Sequence, residues 1–155
     1  MADTIREQII KALESNLADI TVDNGYNTDI GKRVDRVKFG LTESDLPALV
    51  IWPQVEESNK IHGKSRITMP VKLEGLSAFT NNENPSVIAE LMLGDFRKRM
   101  EAQGSVNNVT DLLATSIEYA SGGNDEYPEP GNDRVGVYAV FNIMYKTVAG
   151  DPYSQ

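Results

Sequence analysis

Apolar positions recur with helical spacing in two segments of the chain. Residues 4–17 place their apolar side chains on one stripe, and Thr4 and Glu7 have the spacing of a capping box, in which each side chain caps the other's amide. Residues 84–103 begin with the asparagine and proline that are typical of a helix start, and Gly104 follows as the helix end. The pattern therefore predicts two amphipathic helices.

Strand patterns occupy the middle and the end of the chain. A continuous apolar run bounded by prolines, residues 46–53, predicts a central strand that is covered on both faces. Residues 64–79 alternate between apolar and polar, which predicts a half-buried strand, and Pro70 favours an edge position or a bulge. Two further strands are predicted at residues 114–120 and Arg134–Val148.

The segments between these elements are polar and predict loops or short elements. Residues 20–26 are predicted to hold a short strand ahead of a turn at Gly25, and residues 31–39 an exposed extended arm. Residues 56–63 are predicted to form a polar loop. Residues 121–133 contain glycine, proline and four acidic residues but almost nothing apolar, which predicts a mobile or interacting loop.

The order of the elements is helix, several strands, helix and two strands. This order predicts an α+β fold with a mixed, mainly antiparallel sheet and two helices packed on one face. A length of 155 residues favours one domain that covers residues 1–155. Residues 31–43 and 121–133 carry little apolar surface to offset the entropy of ordering them, so we expect them to become ordered only against partners.

The composition restricts the chemistry that the chain can perform. Without cysteine, the chain has no disulfides, thiolate metal ligands or cysteine nucleophiles. The single histidine, His62, lies in a polar segment without a nucleophile pattern and is interpreted as a surface residue. The acidic groups lack the spacing of a calcium loop, and residues 122–124 are interpreted as a turn because they lack the ending of a phosphate-binding loop. We therefore expect no catalytic residues, no metal, no cofactor and no enzymatic activity, and we interpret Trp52 as a core residue or an interface anchor.

Charge and hydropathy predict the surroundings in which the protein works. The net charge of −8 opposes binding to the phosphate backbone of nucleic acids. The N-terminus has no basic start and no apolar signal core, and the longest apolar run is strand-sized, so we expect no membrane association and folding in a cytoplasm.

The charged residues are clustered along the chain. A candidate subunit or partner interface combines a basic with an acidic segment. The basic segment contains Lys32, Arg33, Arg36 and Lys38, and the acidic segment contains Asp125, Glu126, Glu129 and Asp133. Another basic group contains Lys60, Lys64 and Arg66. If the first basic segment contacts a neighbouring subunit, reversing the charges of Arg33 and Arg36 is expected to block assembly and leave the fold intact.

Several short stretches of the chain form one pattern. They are Gly25-Tyr26-Asn27-Thr28-Asp29-Ile30-Gly31 followed by Val34, the apolar run at residues 46–53, Val71-Lys72-Leu73-Glu74-Gly75, a helix with Ala89-Glu90 and Asp95, and Gly150-Asp151-Pro152-Tyr153. Together they resemble the tail terminator proteins of tailed bacteriophages. The similarity spans most of the chain. None of these stretches carries chemistry, so the resemblance concerns fold and assembly.

The resemblance implies a structural virion protein that forms a hexameric ring at the head-proximal end of the tail tube. The ring would end tube polymerisation and provide the surface for joining head and tail. The implied partners are further copies of the chain, the tail tube protein, the sheath, and neck or connector proteins, with DNA passing through the ring without specific binding. The implied location is the virion, after assembly in the bacterial host cytoplasm. The alternatives are another ring component of the phage neck or tail, such as a head-completion or tube protein, and a small ligand-binding module or enzyme.

Overall fold

The computed structural model describes residues 1–80, 82–102, 110 and 113–155. In these residues the chain forms helices α1 (Ile5–Leu17) and α2 (Pro85–Met100) and a six-stranded sheet. The strands are β1 (Val34–Arg36), β2 (Ala48–Pro53), β3 (Glu57–Ile61), β4 (Lys64–Ala78), β5 (Ala114–Glu126) and β6 (Arg134–Val148). The strand order is β1-β2-β4-β6-β5, with β3 also paired to β4, and only the β1–β2 pair is parallel. The predicted α+β fold is confirmed.

The main core lies between the two helices and one face of the sheet, which we call the helix face. Alternate residues of β4 and β6 point into it, and the predicted apolar side of each strand is buried. These residues are Ile67, Met69, Val71 and Leu73 in β4, and Val135, Val137, Ala139, Phe141, Ile143 and Tyr145 in β6. The other side of the sheet, the open face, carries a smaller cluster around Ala48 and Val50 of β2. β2 is buried on both faces, so the prediction of a strand covered on both faces is confirmed.

Both helices begin as their sequences predict. Thr4 accepts a hydrogen bond from the amide of Glu7 at 3.1 Å, but the Glu7 carboxylate binds Arg36 instead of returning to Thr4. The predicted capping box is therefore only half formed, because two charge-assisted bonds to a guanidinium are stronger than one to an amide. In α2, Asn84 accepts from the amide of Ser86 at 3.0 Å, and a proline follows it. The helix extends to Met100, and its predicted end at residues 103–104 lies outside the described residues.

Pro70 lies inside the sheet, so the predicted edge position is wrong, whereas the predicted alternative of a bulge agrees with a one-residue shift in register beside it, between Pro53↔Val71 and Glu57↔Thr68. β4 is flanked by β2 and β3 on one side and by β6 on the other. β2 ends at Pro53 and β3 begins only at Glu57, and the carbonyl of Pro70 accepts from the amide of Gln54 in the gap between them, at 2.9 Å. The nitrogen of Pro70 faces the same gap, so the missing N–H removes no bond between strands.

Two segments that were predicted as irregular or free are regular. Residues 56–63 contain β3 and a tight turn in which His62 and Gly63 have φ values of 48° and 76°. Residues 31–39 contain β1, which is paired with β2 and is no free arm. Conversely, the predicted strand at residues 20–26 is a short 3-10 helix (Val22–Asn24). β1 is short and β3 is exposed on both faces, so neither has a clear alternation of apolar and polar residues.

β5 extends well into the predicted loop at residues 121–133. It continues to Glu126, so residues 122–124 belong to a strand and form no turn. A side chain at Gly122 would lie 2.5 Å from the hydroxyl of Tyr119 and 3.0 Å from Leu93 of α2. Gly122 is therefore required by close packing, and the predicted loop is wrong up to Glu126. The expectation that the segment becomes ordered only against partners stays a prediction.

Candidate interaction surfaces

Arg36 of the predicted basic segment is paired within the chain. Its guanidinium donates to both carboxylate oxygens of Glu7 at 2.8 and 2.7 Å and joins β1 to α1. The hydrogen bonds from Arg36 hold the pKa of Glu7 below its usual value of 4.5. Arg36 therefore stabilises the fold, and it is not free to bind a neighbour.

The same holds for the residues on either side of β1. Arg33 binds Asp35 at 2.6 Å and also Asp45, and these bonds raise its pKa, with the bond to Asp35 as the largest cause. Lys32 binds Asp29 at 3.1 Å. Lys32, Arg33 and Arg36 are therefore all paired within the chain, and reversing the charges of Arg33 and Arg36 is expected to destabilise the fold, contrary to the expectation from the sequence.

Lys38 lies close to half of the predicted acidic segment of its own chain. It lines a pocket of about 120 Å³ on the open face together with Glu74, Asp125, Glu126 and Arg134. Burial raises the pKa of Glu74, and the neighbouring Asp125 raises it further, while burial also raises the pKa of Asp125. The nearest charged atoms of Glu126 and Arg134 are 3.6 Å apart. Two of the four predicted acidic residues thus share a pocket with cations of the same chain.

The other two acidic residues remain exposed. Glu129 and Asp133 have no ion pair with any residue that the structure describes. Glu43, which is also exposed and unpaired in that part of the chain, lines a cleft of about 320 Å³ with Asp133. Arg134 donates to the carbonyl of Leu41 at 2.8 Å and holds the Glu43 segment at this position. We call Glu43, Glu129 and Asp133 the acidic end.

A second group of cations lies at the opposite end of the sheet. Lys64, Arg66 and Lys146 line a pocket of about 210 Å³ at the tip of the β3–β4 hairpin, next to Ile61 and His62. All three are exposed, and none forms an ion pair within residues 1–80, 82–102, 110 and 113–155. We call these three residues the cationic patch. Sequence reasoning noted Lys64 and Arg66 but missed Lys146, which only the register between β4 and β6 places opposite Arg66.

Trp52 is neither fully buried nor alone. It packs against the small cluster of the open face, and its ring lies 4.7 Å from the ring of Phe39, which is 81% exposed. Its indole Nε1 is buried and has no hydrogen-bond partner among the residues that the structure describes. The pair is an exposed aromatic feature, which is consistent with the predicted role as an anchor.

Two of the stretches that carry the phage resemblance meet at the carboxylate of Asp95. This carboxylate, which is fully buried in α2, accepts from the amides of Asn27 and Thr28 and from the Thr28 hydroxyl, at 2.7–3.1 Å. Gly31 donates its amide to the carbonyl of Ile20 at 2.8 Å, where the chain leaves α1. The Asp95 contacts were not predicted from the sequence, because they join residues 67 and 68 positions apart.

Comparisons with protein-family models and with curated proteins found no match for this chain. Within the described residues, no three histidine, aspartate or glutamate side chains are arranged to bind a metal ion. No described helix is long and apolar enough to span a membrane.

The ion pair between Glu7 and Arg36 makes a pH-dependent contribution to stability. We expect Glu7→Gln to lower the free energy of unfolding at neutral pH by about 1 kcal/mol, because the charge-assisted bonds are lost. The folded-state pKa of Glu7 is depressed below 4.5, so the contribution is complete above that pH and is lost as the pH falls through the folded pKa. Urea unfolding between pH 3 and 7 measures the difference.

Glu14→Gln on the same helix is the matched control, because Glu14 has no ion pair among the described residues. It should change stability by less than about 0.5 kcal/mol at every pH. A Glu7→Gln effect that stays constant down to pH 3 would contradict the assigned role of the Glu7 carboxylate.

Proposed function

We propose that the protein is a structural, non-enzymatic component of a bacteriophage tail that forms a hexameric ring at the head-proximal end of the tail tube. There it ends tube polymerisation and provides the surface that joins head and tail. The observation that carries this proposal is the Asp95 network, because it unites residues of the phage resemblance that are far apart in sequence. The sheath and the neck or connector proteins are further partners.

The network supports a likeness of fold. Asp95 ties α2 to Asn27 and Thr28, and Gly31 packs against the end of α1. A few residues further along the chain, Val34 of β1 pairs with Leu49 in the apolar run of β2. Three of the stretches on which the resemblance rests are therefore parts of one framework. Residues that hold a framework together are what a resemblance of fold predicts.

The charges and aromatic residues at the surface support an assembly role. A ring requires two different surfaces on each subunit that match one another. This subunit has a cationic patch at one end of its sheet and an acidic end at the other, and the exposed pair of Phe39 and Trp52 lies between them on the open face. A net charge of −8 also favours passage of DNA over its retention in the ring.

Labelling and loss of the protein in a phage test this function. Antibody against the protein should label purified tails at one end only, the end that joins the head. Without the protein, we expect tubes of uncontrolled length that do not join heads, because nothing caps the growing end. Label along the whole tube would indicate a tube protein, label on tailless heads would indicate a head-completion protein, and absence from virions would exclude the proposal.

A further inference from the structure

The cationic patch brings like charges together at the tip of the hairpin. Arg66 of β4 and Lys146 of β6 are directly opposite each other in the register, and both side chains lie on the open face. Lys64 lies two residues from Arg66 on the same face. Like charges in directly opposed positions destabilise a sheet. The nearest carboxylate in the register is that of Glu57, opposite Thr68 on the same face, but none of the three cations forms an ion pair with a described residue.

Such a group of cations attracts an anionic partner, and the surrounding residues favour a protein over a nucleic acid. Ile61 and Val148 flank the cations and are 41% and 36% exposed, so the patch combines positive charge with exposed apolar surface. Three cations are few for binding a phosphate backbone against a net charge of −8. A carboxylate-bearing protein surface matches the patch better.

The acidic end of this chain has the matching chemistry but cannot reach the patch of the same molecule. The two sites lie at opposite ends of β4 and β6, which are paired over 15 residues. At about 3.3 Å per residue the ends are roughly 45 Å apart. An attraction between the two sites can therefore act only between two copies of the chain.

We propose that the cationic patch (Lys64, Arg66 and Lys146) binds the acidic end (Glu43, Glu129 and Asp133) of a second copy. The contact joins different surfaces of the two copies, so it repeats head to tail and closes into a ring when the rotation between copies permits. The number of copies rests on the proposed function, whereas the contact itself does not.

Charge reversal in the full chain tests the contact. In low salt, sedimentation over a concentration series should detect self-association, and about 0.5 M salt should weaken it because exposed charges are screened. The double variant Lys64→Glu/Arg66→Glu, and separately Glu129→Lys/Asp133→Lys, should each associate at least about tenfold more weakly. The matched control compares two single variants, Lys60→Glu and Arg66→Glu, of which only Arg66→Glu should weaken association. Lys60 lies in the same hairpin, opposite Ser65 and on the other face of the strand, so its reversal should leave association unchanged.

A mixture of the two double variants gives the decisive result. In each variant alone, the patch and the end carry charge of the same sign, negative in one variant and positive in the other. When the two variants alternate in an equal mixture, every patch again faces an end of opposite charge. Association should therefore return in the mixture, as alternating copies, with melting temperatures close to that of the unchanged protein. If a charge-reversed double variant melts well below the unchanged protein, a neutral double variant replaces it. Lys64→Gln/Lys146→Gln serves for the cationic patch and Glu129→Gln/Asp133→Gln for the acidic end, and each should weaken association.

Three results would overturn the contact. They are a wild-type protein that remains monomeric at high concentration in low salt, variants that associate as the wild type does, and a mixture that stays dissociated. Binding of duplex DNA that Arg66→Glu abolishes, with self-association unchanged, would also reject it in favour of nucleic acid. The proposed tail function fails by a different measurement, which is absence of the protein from purified tails, so the two failures are distinguishable.

Discussion

Replacement of Asp95 by alanine is expected to lower the free energy of unfolding by about 2–3 kcal/mol, because the charge-assisted hydrogen bonds between α2 and residues 27–28 are lost. The Asp95 carboxylate is fully buried and accepts from the backbone amides of Asn27 and Thr28 and from the hydroxyl of Thr28. Asn27 is exposed and Thr28 is half-buried, so water replaces part of what these donors lose. Urea unfolding followed by circular dichroism measures the loss.

Two other substitutions sharpen this experiment. Asp95→Asn keeps the shape but presents an NH₂ group to donors, so its effect should be intermediate. Glu90→Ala lies on the exposed side of the same helix and should change stability by less than about 0.5 kcal/mol. An Asp95→Ala variant as stable as Glu90→Ala would remove the network as the connection between α2 and the 26–28 segment, and with it the main support for the proposed fold likeness.

Gly31→Ala is expected to have a comparable effect through steric overlap. A methyl group at this position would lie 2.6 Å from the carbonyl oxygens of both Leu17 and Ile20 and 2.8 Å from the amide nitrogen of Ile20. These are backbone atoms at the end of α1, and they can move only if the helix end moves with them. We expect a loss of about 3 kcal/mol, at the upper end of the usual cost of overpacking.

Gly94→Ala is the matched control for Gly31→Ala. Gly94 is exposed in α2 with no atom within 4 Å of the added methyl group, so alanine there should stabilise the protein by about 0.5–1 kcal/mol through helix propensity. Thermal unfolding of both variants should therefore shift in opposite directions. If the Gly31→Ala variant has the melting temperature of the wild type, the end of α1 can move without a measurable loss of stability, which would contradict the close contact described here.

Elements whose pattern depends on local physics were predictable from the sequence alone. The capped starts of α1 and α2, the doubly buried β2 and the bounds of β6 follow from periodicity, capping residues and prolines. The α+β class follows from their order. Each of these signals acts over a few neighbouring residues, so it can be read without knowing what else the segment contacts.

Which charges are paired, and where an irregular sequence becomes a strand, followed only from the fold. Arg33 and Arg36 look exposed in the sequence, but Asp45 and Glu7 pair with them, whereas Lys146 becomes part of a cationic patch through pairing with β4. Gly122 of β5 has no room for a side chain because Tyr138 of β6 and Leu93 of α2 lie close to it. Pro70 is tolerated in the sheet because two neighbouring strands leave a gap opposite it. These outcomes depend on contacts between residues distant in the chain, which no local pattern encodes.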